Sequence, residues 1–358
     1  VIKYLGSKRA LVPVLGEIAS AVDARTALDL FTGTTRVAQE FKRRGLHVTA
    51  VDVATYSERL AQTYIRTDAR DVDEAALADA LERLRALEGE RGYVTRTFCE
   101  DARFFMPRNG MRIDAIRRVI EEDYADTELY PILLTSLMLA ADRVDSTTGV
   151  QMAYLKSWAP RARNELDLRR PELLDGPGRA ICADALEAVV ALDRVDLAYL
   201  DPPYNQHRYF TNYHVWETLI RWDAPEAYGI ACKRIDSRDE QTKSVFNKKR
   251  EMPTAMREAI SSVKADVVVV SYNDESWVEA TDIMRWLREA GHDDVRLLAF
   301  DSKRYVGAQI GIHNPSGQKV GEVKRLRNTE YVFVAGPTAK VDAAVAAAVA
   351  TRPTDVAS

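Results

Sequence analysis

Hydrophobic and polar positions in the first part of the chain predict strand, turn, helix and strand. Residues 26–31 (Thr-Ala-Leu-Asp-Leu-Phe) are a short apolar run that leads into a glycine turn at Gly33. Residues 36–44 space their apolar positions helically and stop at Gly45, a residue suited to a helix C-terminus. Residues 47–52 read as a second strand closing on Asp52. This is the opening of a parallel, doubly wound sheet.

The alternation then stops. Residues 57–178 read mostly as helix and irregular chain, with an acidic amphipathic helix at 71–90, an apolar helix at 130–142 and a Gly/Pro-rich stretch at 146–177. The strand pattern resumes at Arg179. It predicts strands at 180–183, 195–200, 266–271, 295–300 and 329–334, and a helix at 276–290 closed by Gly291. The unbroken apolar run Val267 to Val270 is the pattern of a strand buried on both faces. The alanine-rich residues 339–358 predict a surface helix that frays.

Composition narrows this picture. A chain of 358 residues has room for about two domains. With 46% apolar and 29% charged residues it excludes wholesale disorder, collagen and coiled coil. Its longest apolar run, residues 131–141, is well short of the ~20 residues of a membrane span. The first residues carry no apolar leader, so a cytoplasmic location and no membrane partner are expected. The three cysteines, Cys99, Cys182 and Cys232, are not spaced for a disulfide framework or a zinc finger, and no metal is expected. The net charge of −4 conceals local clusters. Residues 233–257 hold eight bases and four acids, and residues 302–328 six bases and one acid. Charge alone favours reading these runs as solvated loops.

The candidate chemistry lies at strand ends. In an open parallel sheet, ligands bind beyond the carboxyl ends of the strands. Asp52, Asp184 and Asp201 all occupy such ends, beside the turn at Gly33. An acid after the second strand suits ribose hydroxyls, and the turn lacks the GxGxxG pattern of dinucleotide sites, so a single nucleoside-like cofactor fits better. In Asp201-Pro202-Pro203-Tyr204 the prolines hold the turn rigid. The Asp201 carboxylate and the Pro202 carbonyl are both acceptors, a pair suited to an amino group, and Tyr204 offers a face on which a base stacks. The same tetrapeptide also reads as a simple turn after a strand.

Together these segments resemble the Dam-like, alpha-group DNA adenine methyltransferases. Lys3-Tyr-Leu-Gly-Ser-Lys8 is similar to that family's N-terminal cofactor segment, Asp29-Leu-Phe-Thr-Gly33 to its methionine-binding loop, and Asp201–Tyr204 to its catalytic motif. Phe210-Thr-Asn-Tyr-His214 resembles the aromatic segment after that motif. The resemblance runs from residue 3 to about 335. It departs at Thr35, where the family usually has a second glycine, and at Ala185, where it often has an aromatic residue.

The resemblance implies an α/β fold. A Rossmann-like doubly wound catalytic sheet (1–57 and 179–338) would carry an inserted, mostly helical recognition domain (58–178) and a C-terminal tail (339–358). It implies S-adenosylmethionine held by Tyr4, Lys8, Asp29, Phe31, Thr32, Gly33, Thr34, Thr35, Asp52, Asp184, Ala185 and Asp201. Asp201, Pro202, Pro203 and Tyr204 would act on a flipped-out adenine in duplex DNA. Contacts to DNA fall to Thr148, Gln151, Tyr154, Lys156, Arg161, Arg163 and Arg208, to Lys248, Lys249 and Arg250, and to Lys319, Lys324 and Arg325. With this partner in view, the basic runs read as phosphate contacts. A monomer is the simple expectation, and a cognate restriction endonuclease is a partner the resemblance admits. Amino methylation of cytosine stays open. So does an inactive DNA-binding relative, which Thr35 alone favours.

Overall fold

Seven stretches rich in Val, Leu, Ala and Tyr pair into one sheet in the computed structural model. The model describes residues 2–4, 8–203, 208–274, 276–303, 312–313, 319–321 and 327–351, and at 301–303, 312–313, 319–321 and 327–328 the backbone alone. The strands are β1 (Thr26–Asp29), β2 (His47–Asp52), β3 (Arg179–Cys182), β4 (Val195–Leu200), β5 (Ala265–Asn273), β6 (Asp294–Lys303) and β7 (Arg327–Gly336). Their spatial order is β3-β2-β1-β4-β5-β7-β6. β1 pairs in parallel with β2 and β4, and β4 with β5. The order therefore reverses at β1 and β4, the kind of switch point where α/β sheets bind ligands.

Polar residues lock this register at the far end of the two strands. The Asp196 carboxylate accepts hydrogen bonds from the Arg25 and Thr26 backbone N–H groups and the Thr26 hydroxyl, each at 2.9 Å. Val267, Val268, Val269 and Val270 are all fully buried, as the unbroken apolar run predicts. The last two strands depart from parallel winding. β7 runs antiparallel to both β5 and β6, and a direct β6–β7 connection is possible because antiparallel neighbours need no crossover helix.

The chain divides into two compact units. The sheet unit comprises Gly6–Val53, Ile181–His207 and Ser244–Ser358; the helical unit comprises Val1–Leu5, Ala54–Ala180 and Arg208–Lys243. The division differs from the expected boundaries chiefly at residues 208–243. The helix His214–Arg221 buries Val215, Trp216, Leu219 and Ile220 in one apolar cluster with Phe105, Leu133 and Leu137, which places it in the helical unit. The alanine-rich tail also differs from a fraying surface helix. Thr338–Ala350 is helical, and its Val341, Ala344 and Ala348 are buried.

In the helical unit, His214 is wholly buried and its Nε2 lies 3.0 Å from the Gln151 carbonyl, so that nitrogen carries the proton. Nδ1 has no hydrogen-bond partner among the described residues. Burial pushes the imidazole down to about 3, against the raising effect of the Gln151 carbonyl. The unfolded chain thus takes up a proton near the ordinary histidine value while the folded chain does not. Stability is present above about 6.5 and is lost as pH falls toward 3. His214→Gln should reduce the acid-side slope of folding stability by up to about 1.4 kcal/mol per pH unit, as read from urea unfolding at pH 7 and pH 5. An unchanged slope would mean that His214 titrates normally.

Candidate active site

The loop after β1 is drawn tight by its own backbone. Leu30 N–H donates to the Tyr199 carbonyl, Thr32 N–H to that of Val51, and Thr35 N–H to that of Thr32 at 2.7 Å. Gly33 and Thr35 take positive φ values of 50° and 61°. Gly33 N–H donates to Asp52 Oδ2 at 2.8 Å, so the acid at the end of β2 braces the turn. Phe31 meets Phe246 edge-on at 5.0 Å. Thr34 offers its carbonyl to the Thr35 hydroxyl at 2.7 Å.

Asp29 lies beneath this loop, only 1% exposed. Its Oδ2 accepts from the Thr32 hydroxyl at 2.9 Å, while Oδ1 has no partner among the described residues. Burial pushes its carboxyl up to about 7; the Thr32 hydrogen bond opposes the rise, and the charges of Asp201 and Asp52 add to it. Asp184 caps the next helix, Ala185–Ala191, through a 2.8 Å bond from the Leu186 N–H, with Ala185 as its buried first residue.

Asp201 follows β4, with Pro202 buried behind it. Its Oδ1 accepts from Ser271 Oγ at 2.9 Å and pairs with Lys8 Nζ at 3.2 Å. Ser271 lies in turn 2.7 Å from the Tyr199 hydroxyl. Lys8, 7% exposed, also pairs with Glu330 Oε2 at 2.8 Å, and Asn273 donates to Glu330 Oε1 at 2.9 Å. Burial raises the Asp201 pKa; Lys8 and Ser271 lower it and Glu330 raises it. The structure thus brings together Lys8, Asp29, the 31–35 loop, Asp52 and Asp201 in the sheet unit. Motif reasoning missed Glu330. The only sequence signal for Glu330 was an acid inside an otherwise apolar strand. The stretch Ser271-Tyr-Asn-Asp274, which holds both Ser271 and Asn273, reads in sequence either as pocket lining or as a turn at the end of a buried strand.

The other expected site residues fall in several different settings. Tyr4 belongs to the helical unit, stacked on Tyr213 at 4.7 Å and Tyr209 at 5.2 Å, because the N-terminal segment divides between the units after residue 5. Gln151 is 3% exposed and cannot read a groove. Its side chain accepts from the Val215 N–H and its backbone binds Asn212 and His214. Arg161 is spent on the fold, bonded to Asp145 Oδ1 at 2.6 Å and to the Thr147 carbonyl. Tyr154 packs edge-on against Phe104. Thr148, Lys156, Arg163, Arg208, Lys249 and Arg250 are exposed, and Lys248 pairs with Glu251. Tyr204, Lys324 and Arg325 lie outside the described residues, as does the side chain of Lys319.

A sequence model of the D12 class N6 adenine-specific DNA methyltransferases matches residues 4–284. The chain belongs to that family. It is 30% identical over 314 residues to modification methylase StsI of Streptococcus sanguinis, covering 82% of this chain and 47% of the relative, about half its length. Over 308 residues it is 28% identical to type II methyltransferase M.NlaIII of Neisseria lactamica, covering 82% of this chain and 89% of that one. It is 29% identical over 312 residues to type II methyltransferase M.CviAII of Paramecium bursaria Chlorella virus 1, covering 82% and 90%.

The residues at these strand ends fit S-adenosylmethionine, the methyl donor of the D12 methyltransferases. The orphaned, buried Asp29 Oδ1 suits the ammonium of the methionine end, and Asp52 at the end of β2 suits ribose hydroxyls. Among the described residues, no cluster of His, Cys, Asp or Glu could hold a metal and no helix is long and apolar enough to cross a membrane. A cationic ligand selects the ionised form of Asp29. Affinity for S-adenosylmethionine in calorimetry should therefore rise with pH through about 7 and flatten in Asp29→Asn. A wild-type affinity independent of pH between 6 and 8 would remove Asp29 from that role.

Proposed function

We propose that the chain transfers a methyl group from S-adenosylmethionine to the N6 amino nitrogen of an adenine rotated out of duplex DNA. The observation that carries this reading is the geometry of Asp201. The hydrogen bond from Ser271 and the ion pair with Lys8 both fall on Oδ1. The carboxylate is thereby held at one oxygen and can present the other, beside the Pro202 carbonyl, to an amino group. When bound, the cofactor supplies an electrophilic methyl group on a sulfonium.

The target nitrogen carries two hydrogens and a lone pair delocalised into the ring. Two acceptors taking those hydrogens turn the nitrogen toward tetrahedral geometry and free the lone pair for attack. This is catalysis by positioning and electrostatics. After transfer the nitrogen must lose one proton. Asp201, its pKa raised by burial, is a base placed to take it. Removal of the base from the stack is required because the amino group is otherwise inside the duplex.

Target recognition falls to the helical unit, where Lys156, Arg163 and Arg208 are exposed and supply charge for phosphate contact. The names of the relatives, modification methylase and type II methyltransferase, favour a restriction endonuclease as the partner whose cutting this chain would block.

Labelled S-adenosylmethionine and duplex DNA test the reaction, with RNA as control and the product digested to nucleosides. Label should appear in N6-methyladenine and fall at least about 100-fold in Asp201→Asn while cofactor binding persists. Label in N4-methylcytosine would overturn the adenine assignment, and label in RNA alone would overturn the substrate.

A further inference from the structure

We infer that Glu330, anchored by Asn273, is a positioning residue for methyl transfer that divides Lys8 between two carboxylates and so keeps Asp201 available as an acceptor. The inference rests on the function proposed above. Four strands or loops contribute: β4 leads into Asp201, β5 carries Ser271 and Asn273, β7 carries Glu330, and Lys8 enters from the N-terminal segment.

Lys8 lies closer to Glu330, at 2.8 Å, than to Asp201, at 3.2 Å. Glu330 is itself fixed, since its second oxygen accepts from Asn273 Nδ2 at 2.9 Å. Without the Glu330 charge, Asp201 takes a larger share of the Lys8 ammonium. Undivided, it would neutralise that carboxylate and weaken it as a hydrogen-bond acceptor. Glu330 competes for it.

The hydrogen bonds on the other side run one way. Ser271 Oγ donates to Asp201, so the neighbouring Tyr199 hydroxyl donates to Ser271. Lys8 and Glu330 act most strongly on the Asp201 charge, with Ser271 as its hydroxyl partner, and the same charge is coupled to Asp29 and Tyr199. Without Glu330 the carboxyl of Asp201 should ionise more readily, yet accept less well.

Glu330→Gln keeps the shape and the Asn273 contact while removing the charge. It should lower kcat about 10- to 100-fold, the scale of a small misplacement of a reacting group. KM for S-adenosylmethionine and for DNA should stay within about twofold, because Glu330 acts through Asp201 and not on a ligand. The acid limb of the kcat–pH profile should move to lower pH, opposite to what a loosened site with a more buried Asp201 would give. Glu330→Asp should recover part of the rate. Asn273→Ala should shift kcat in the same direction by a smaller factor, and it keeps the proposal open to refutation if Glu330→Gln fails to fold. An unchanged kcat in either variant, or a fall with the acid limb unmoved, would overturn the proposal. A wild type that transfers no methyl group to adenine would instead sink the proposed function, and this inference with it.

Discussion

The site depends on one electrostatic constraint: carboxylates crowd together at the ends of neighbouring parallel strands, with Asp29 buried and Asp52 and Asp201 half-buried. Asp29 and Asp201 end β1 and β4, which pair directly, and Asp52 ends β2 on the other side of β1. Each raises the cost of ionising Asp29. The fold answers with a few specific donors: Lys8 for Asp201, the Gly33 N–H for Asp52, and the Thr32 hydroxyl for Asp29. These do not saturate the group, because Asp29 Oδ1 has no partner among the described residues. A buried site with surplus acceptors favours a ligand that brings positive charge and N–H donors. A methyl donor with a sulfonium and an ammonium, and a base with an exocyclic amino group, are ligands of that kind.

The same constraint explains what the sequence made legible. A strand that ends on an acid is a local pattern, and seven strands, three of them followed by an acid, could be read from apolar runs alone. The seven predicted strands all appear, with ends shifted by a few residues. Local patterns did not say which side chains fold back on the chain. Gln151 and Arg161 look like groove readers in a polar, aromatic stretch. Their partners, Val215 and Asp145, are set by tertiary packing at sequence distances no motif covers. The boundary at 208–243 was hidden for a similar reason. The segment after Asp-Pro-Pro-Tyr continues the catalytic motif in sequence, but its Val215, Trp216 and Leu219 are buried against helices from 105–137. Glu330 was invisible because its importance lies in a contact with Lys8, 322 residues away in the chain.

Thr35 bears on whether the site is intact. At φ 61° and ψ 15° it occupies the left-handed conformation that glycine adopts without cost, and for a β-branched residue the strain is of order 1–2 kcal/mol. The loop holds it there with two hydrogen bonds through its wholly buried hydroxyl, one to the Thr34 carbonyl at 2.7 Å and one from Gln39 Nε2 at 2.8 Å. Gln39 sits one turn into the helix that the loop starts, so the threonine ties the turn to that helix in a way glycine has no side chain to do. The backbone course required for a ligand to approach Gly33 is thus kept without the second glycine. The departure that gave an inactive relative its only support is accommodated in the turn by the two hydrogen bonds of the Thr35 hydroxyl. With Asp201 held by Ser271 and Lys8, the geometry favours a working enzyme over a binding module.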